Sequence, residues 1–177
     1  KRFRVILDNS WSYFGKFIWQ DYNLMKLPNK KISIAIIGAG WFGCHIGYKL
    51  TQKNFKVKIF EKEKDIFQNA SGNNTNRLHL GFHYPRSLQT RKMSYDGYKK
   101  FIKQYPNLSK TLKNNIYVIA KSKLNKMRSN LYEKSMQQSN LKFSKLKSKK
   151  TDLINIDKIF NTNERIIDHK KAKEFFK

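Results

Sequence analysis

A single cysteine, Cys44, stands in the 177 residues of the chain. One thiol closes no disulfide within the chain and builds no multi-thiolate zinc cluster, so a cysteine framework is excluded and a reducing compartment fits best. Proline occurs three times and glycine eight, too rarely for a collagen-like or low-complexity chain. Acidic residues are also few, 12 against 38 lysines and arginines, for a net charge of +26. That balance suggests a polyanion binder, but only 7 of the basic residues are arginine and 31 are lysine. Arginine is the side chain suited to bidentate phosphate and base contacts. Its scarcity assigns much of the charge to solvated surface and argues against a dedicated nucleic-acid function.

A long hydrophobic run is missing too. The longest uncharged apolar stretch, 32–48, is broken by Gly38, Gly40, Gly43 and Gly47 and contains His45, whereas a membrane span needs roughly 20 predominantly apolar residues. Lys1 to Arg4 lead into a mixed stretch and not into the apolar core of a signal peptide. The chain is therefore expected to be soluble and cytoplasmic. It begins without Met and ends at Lys177 inside an expected helix, so a fragment is expected.

What is present suffices for a core, with 39% hydrophobic and 14% aromatic residues. At roughly 150 residues per domain the length suits one domain, or one and part of another. Residues 1–30 form an aromatic-rich lead of unknown role, ending at Pro28 and Asn29. The run Ile32 to Ile37 is β-branched and apolar on both faces, as a buried parallel strand should be. A glycine turn follows, then a helix over 44–53 with Asn54 as its stop, then a strand over 56–60. Residues 65–77 are polar and turn-rich, a composition typical of binding loops. Beyond Pro85 the spacing predicts a helix from Ser87 with core-facing Tyr95, Tyr98, Phe101, Ile102 and Tyr105, stopping before Pro106. Strands are expected over 116–120, 141–143, 153–156 and 165–167, a helix over 124–138, and a last helix capped by Asp168.

The chemistry-bearing pattern is Gly38-Ala39-Gly40-Trp41-Phe42-Gly43, which fits GxGxxG. The first glycine makes a tight turn, the second admits a pyrophosphate to the backbone, and the third lets helix and strand pack closely. The turn follows a strand and opens a helix, whose N-terminus favours phosphate. Glu61 ends the next strand at the distance where an acid receives ribose hydroxyls, and an acid there disfavours a 2'-phosphate ligand. Cys44 and His45 are sequence neighbours on a helix and point apart, so they form no nucleophile pair. His79 and His83 have metal-ligand spacing only on a helix, against which Gly81 argues. No metal is expected.

Three segments together resemble a known family: the turn Gly38 to Gly43, the strand end Phe60-Glu61-Lys62, and Ser71-Gly72-Asn73-Asn74 followed by Leu78 to Pro85. They are similar to the N-terminal half of the D-amino-acid-oxidase-like FAD-dependent oxidoreductases, above all the branch oxidising hydroxyglutarate and glycerol phosphate. The resemblance covers residues 31–105 and implies an α/β fold. A Rossmann-like FAD-binding βαβ domain would occupy 31–105, and the start of a truncated α+β substrate domain would occupy 106–177. It implies FAD with its adenosine end at Gly38, Gly40, Gly43, Glu61 and Lys62, with Ser71, Asn73 and Gly81 along the pyrophosphate and flavin. It further implies hydride transfer from an amine- or hydroxyl-bearing carbon of a small substrate. Because the polar loop at the carboxyl edge of the sheet leads into them, His79 and Arg77 are expected as catalytic residues, with Arg77 holding an anionic substrate group. The chain departs from the family pattern at Asn76 and Arg77, where small residues are usual. A chain this short is expected to be inactive alone. The alternatives are an NAD-binding Rossmann dehydrogenase, which has no need of the 71–81 tract, and a basic nucleic-acid or polyanion-binding module. For an anionic partner the relevant half is 86–150, where 18 basic residues face only Asp96 and Glu133.

Overall fold

A computed structural model of the chain describes residues 3–6 as backbone and residues 32–122, 127–146 and 154–177 in full. Most of the aromatic lead over 1–30 lies outside the described residues. The chain divides into two compact units. One comprises the described residues up to Asn74 with 173–177, and the other those of Thr75–Ala172.

The first unit holds a parallel sheet of β1 (Phe3–Ile6), β2 (Ser33–Ile37) and β3 (Lys56–Phe60), with β2 central. Helix α1 (Trp41–Thr51) connects β2 to β3. Alternation along β2 sends Ile34 and Ile36 into one cluster with Leu50 of α1 and Phe55. Gly47 lets the helix approach the sheet, since a Cβ there would stand 2.8 Å from Ile59 Cδ1. The helix begins at Trp41, ahead of the expected Cys44, because extended Gly40 serves as its N-cap. Asn54, at φ 62, turns the chain toward β3. One expectation is corrected: β2 is not buried on both faces among the described residues. Ile37 is 63% exposed and Phe60 of β3 56%, so α1 covers one face only.

The second unit begins with β4 (Arg77–Leu78), α2 (Leu88–Gln104), β5 (Ser109–Thr111) and β6 (Asn115–Ala120). It continues with α3 (Ser129–Gln138), β7 (Phe143–Leu146), β8 (Ile156–Thr162) and β9 (Arg165–Ile167). Its strands form two antiparallel sheets of order β4-β9-β5 and β6-β8-β7. The core joins Phe82, Tyr132, Met136, Leu141 and Phe160. The helix expected from Ser87 starts at Leu88, and Ser87 caps it, its Oγ accepting from Thr90 N at 3.2 Å. Of the expected core aromatics Tyr105 is buried, whereas Tyr95 is exposed beneath the Lys99 ammonium. Arg91 on α2 is buried, and among the described residues no acid pairs with it. Its guanidinium donates to the carbonyls of Tyr84 and Pro85 and to Ser139 Oγ.

Helix α3 starts at Ser129 rather than Leu124, since Arg128 is extended; residues 124–126 lie outside the described set. The strand expected at 141–143 begins instead at Phe143, because Asn140 at φ 53 reverses the chain and Leu141 enters the core. The strand expected at 153–156 runs over Ile156–Thr162, and Leu153 lies outside the described residues. Helix α4 (His169–Phe176) follows, with Asp168 Oδ1 accepting from Lys171 N at 3.2 Å. Its residues from Lys173 onward count with the first unit, where Phe176 packs edge-on against Trp41 and Phe67. Among the described residues no helix is long and apolar enough to cross a membrane.

Candidate functional site

Strand β2 runs directly into the glycine turn. Gly38 takes φ +96, a conformation side-chained residues rarely adopt, and its amide donates to Phe60 O at 2.7 Å. A Cβ on Gly43 would collide with the Gly38 carbonyl oxygen, and one on Gly40 would stop 3.3 Å from Ser71 Oγ. First-turn amides have no partner inside a helix, and one of those of α1, Trp41 N, donates to Ser71 Oγ at 2.9 Å. Helix α1 has no acid in its first turn, so nothing on that turn repels a phosphate.

Glu61 leaves β3 and folds back on this turn. Its Oε2 accepts from Ala39 N at 2.5 Å, and its Oε1 from Lys62 N at 2.9 Å and Glu63 N at 3.0 Å. The bonds from Ala39 and Glu63 hold its carboxyl below the usual glutamate value. Lys62 is exposed and pairs with Glu63 at 3.7 Å. In the polar loop Phe67 N donates to Ala39 O at 3.1 Å, and the buried Phe67 ring stacks on Trp41. Asn73 Nδ2 donates to Gln68 O at 2.9 Å, so that side chain shapes its own loop. Cys44 is buried beneath the turn, and burial pushes its thiol up to about 11. It is a neutral packing residue at physiological pH.

In the second unit the tract after β4 gathers several polar side chains around one acid. Glu164 is fully buried. Its Oε1 accepts from Leu80 N at 2.8 Å and its Oε2 from Tyr117 O–H at 2.7 Å, while His79 Nδ1 stands 3.4 Å from that same Oε2. The His79 ring is stacked on His83 at 5.3 Å, and Ser94 Oγ donates to the His79 carbonyl. The Arg77 guanidinium lies 5.8 Å from the Tyr117 ring centroid. Gly81 takes φ +121, and a Cβ on it would come 3.1 Å from the Arg91 carbonyl oxygen, so this glycine admits the backbone of α2. Among the described residues no group of three His, Cys, Asp or Glu side chains is placed to hold a metal ion.

The family model described as FAD dependent oxidoreductase (DAO) matches residues 33–155. The chain belongs to this family. FAD-dependent monooxygenase FPY4 of Fusarium mangiferae is 38% identical over 144 residues, 81% of this chain and 39% of the relative. FAD-dependent monooxygenase kojA of Aspergillus flavus is 44% identical over 78 residues, 44% of this chain and 18% of the relative. Mitochondrial L-2-hydroxyglutarate dehydrogenase of Dictyostelium discoideum is 29% identical over 166 residues, 84% of this chain and 36% of the relative. The chain thus spans 39% of the length of the Fusarium protein. FAD is the cofactor that membership in the FAD dependent oxidoreductases implies, and it sets aside the NAD alternative.

The residues present fit a dinucleotide. The cradle over Gly40 is one that a side chain would fill, and Gly43 is fixed by contact with Gly38. Structure also brings forward two residues that the sequence reading passed over, Glu164 and Tyr117. Glu164 is one of only 12 acids in the chain, the one usable signal, but its bond to Leu80 bridges 84 positions. No local pattern announces such a pair.

Proposed function

We propose that residues 31–105 form a Rossmann-like FAD-binding part and 106–177 the start of a substrate domain. The protein would be an oxidoreductase that takes a hydride from an amine- or hydroxyl-bearing carbon of a small anionic substrate. One observation carries this reading: in a chain of this family, three glycines, Ser71 and Glu61 close into a single hydrogen-bonded turn. Gly38, Gly40 and Gly43 leave the backbone open to the pyrophosphate, Glu61 with Lys62 serves the adenosine end, and Ser71 and Asn73 serve the phosphates. Bound FAD supplies the two-electron acceptor that no side chain provides. His79 takes the proton of the substrate hydroxyl or amine, and Arg77 supplies the cation for its anionic group.

The 38% identity to a protein named as a monooxygenase favours a second reading, in which oxygen is a co-substrate. Anaerobic mixing of the FAD-loaded protein with 2-hydroxy acids and amino acids separates the two. Flavin bleaching by a member of that panel supports direct hydride transfer. Bleaching by a reduced nicotinamide alone overturns it in favour of the monooxygenase.

A further inference from the structure

The proton on His79 is determined by what surrounds its Nδ1. Two atoms lie 3.4 Å from that nitrogen, Glu164 Oε2 and the Tyr117 hydroxyl oxygen. An ionised carboxylate only accepts hydrogen bonds. The Tyr117 hydroxyl has one proton, and at 2.7 Å from Glu164 Oε2 its separation is that of a charge-assisted O–H donor bond. Toward His79 the tyrosine oxygen is therefore an acceptor as well. Burial, then the bond to Glu164, pushes the tyrosine hydroxyl far above its ordinary value, so it keeps that proton. Burial alone would raise the Glu164 carboxyl, but the bonds from His79, Tyr117 and Leu80 outweigh it and hold the group below its usual value. Both neighbours of Nδ1 thus demand a donor.

We propose that Glu164, aided by Tyr117, is the positioning residue of His79: it keeps a ring proton on Nδ1, so that Nε2 is the nitrogen that exchanges a proton with the substrate. This rests on the reading of His79 as the proton acceptor. Nε2 then takes the O–H or N–H proton of the substrate, and the buried carboxylate stabilises the resulting imidazolium. The Leu80 amide fixes the other oxygen of Glu164 at 2.8 Å, so the carboxylate plane cannot turn freely. In Glu164→Gln the one carbonyl oxygen is drawn to the Leu80 amide, which places the NH2 against Tyr117 and His79. A donor there calls for a lone pair on Nδ1 and transfers the imidazole proton to Nε2. The base is then lost with the ring still in place.

The test is 15N NMR of histidine-labelled, FAD-loaded protein purified from its native gene. The chain has 4 histidines, and the His79 signals are identified by their absence in His79→Gln. Expected are an Nδ1–H tautomer in the parent and an Nε2–H tautomer in Glu164→Gln. Flavin reduction in that variant should be slower by roughly 10² to 10⁴-fold, the usual worth of a general base, with substrate affinity changed far less. An Nε2–H tautomer in the parent overturns the proposal whether or not any variant folds. So does a Glu164→Gln protein with parental tautomer and rate. The reading of His79 as base fails separately, if His79→Gln is reduced at the parental rate while the parent retains the Nδ1–H tautomer.

Discussion

Ser71 Oγ accepts the amide proton of Trp41 at 2.9 Å from 30 residues away in sequence. Helix α1 is thus capped by a distant loop, because Gly40 at its N-cap has no side chain to do so. Replacing a helix-capping serine by alanine costs about 1 kcal/mol, so Ser71→Ala should lower the thermal midpoint and weaken FAD retention together, while Ser71→Thr keeps most of both. Unchanged melting and flavin content in Ser71→Ala would remove the bond from the account.

Gly40 and Gly43 should fail in different ways. A Cβ at Gly40 meets only the Ser71 hydroxyl, at 3.3 Å, and not backbone, so Gly40→Val is expected to fold and to be isolated without flavin. At Gly43 the obstacle is backbone, the Gly38 carbonyl. Gly43→Ala therefore forces α1 off the turn, at roughly 1–3 kcal/mol for overpacking. Circular dichroism melts alongside flavin content distinguish the two, and a yellow Gly40→Val protein would contradict the assigned phosphate approach.

Asp65 accepts from both Lys173 and Lys177 at 2.9 Å. Those two lysines hold its carboxyl well below the ordinary aspartate range. A group whose folded value is depressed adds stability above its unfolded value and loses it as the pH falls toward the folded one. The end of α4 should therefore loosen only in acid, below about pH 4, and Asp65→Asn should lack that dependence. Amide exchange at residues 173–177 reads this directly. Identical pH profiles for the two proteins would show that the ion pairs contribute nothing.

The glycine turn was legible in the sequence because its requirements are local: a β-branched strand, three glycines, a helix and an acid within one βαβ unit. The start of α2 near Ser87 and the Asp168 cap were legible for the same reason, each signal lying next to its helix. The exposure of Ile37 on β2 among the described residues was not, since an apolar run reports what a strand could bury and not which element covers it. Glu164 and Tyr117 were not legible either. They meet His79 only after β4, β6 and the turn between β8 and β9 have assembled, and each looks unremarkable among its sequence neighbours. Gly81 was expected along the flavin, whereas the backbone it admits within the second unit is that of Arg91, a contact that no local pattern announces.

The 177 residues expressed alone are predicted not to turn over substrate, since they correspond to 39% of the Fusarium relative. Steady-state assays with the hydroxy acid and amino acid panel check this. Turnover by the isolated residues would mean that they already hold a complete substrate site.

The central claim is that the turn over Gly38 to Gly43, closed by Ser71 and Glu61, holds FAD. A visible absorption spectrum of the protein purified from its native gene tests it most directly, taken before and after incubation with FAD and gel filtration. The account predicts flavin bands that co-elute with the protein in near-stoichiometric amount and disappear in Gly40→Val. A folded protein that stays colourless after loading, or one whose bands survive Gly40→Val undiminished, would contradict it.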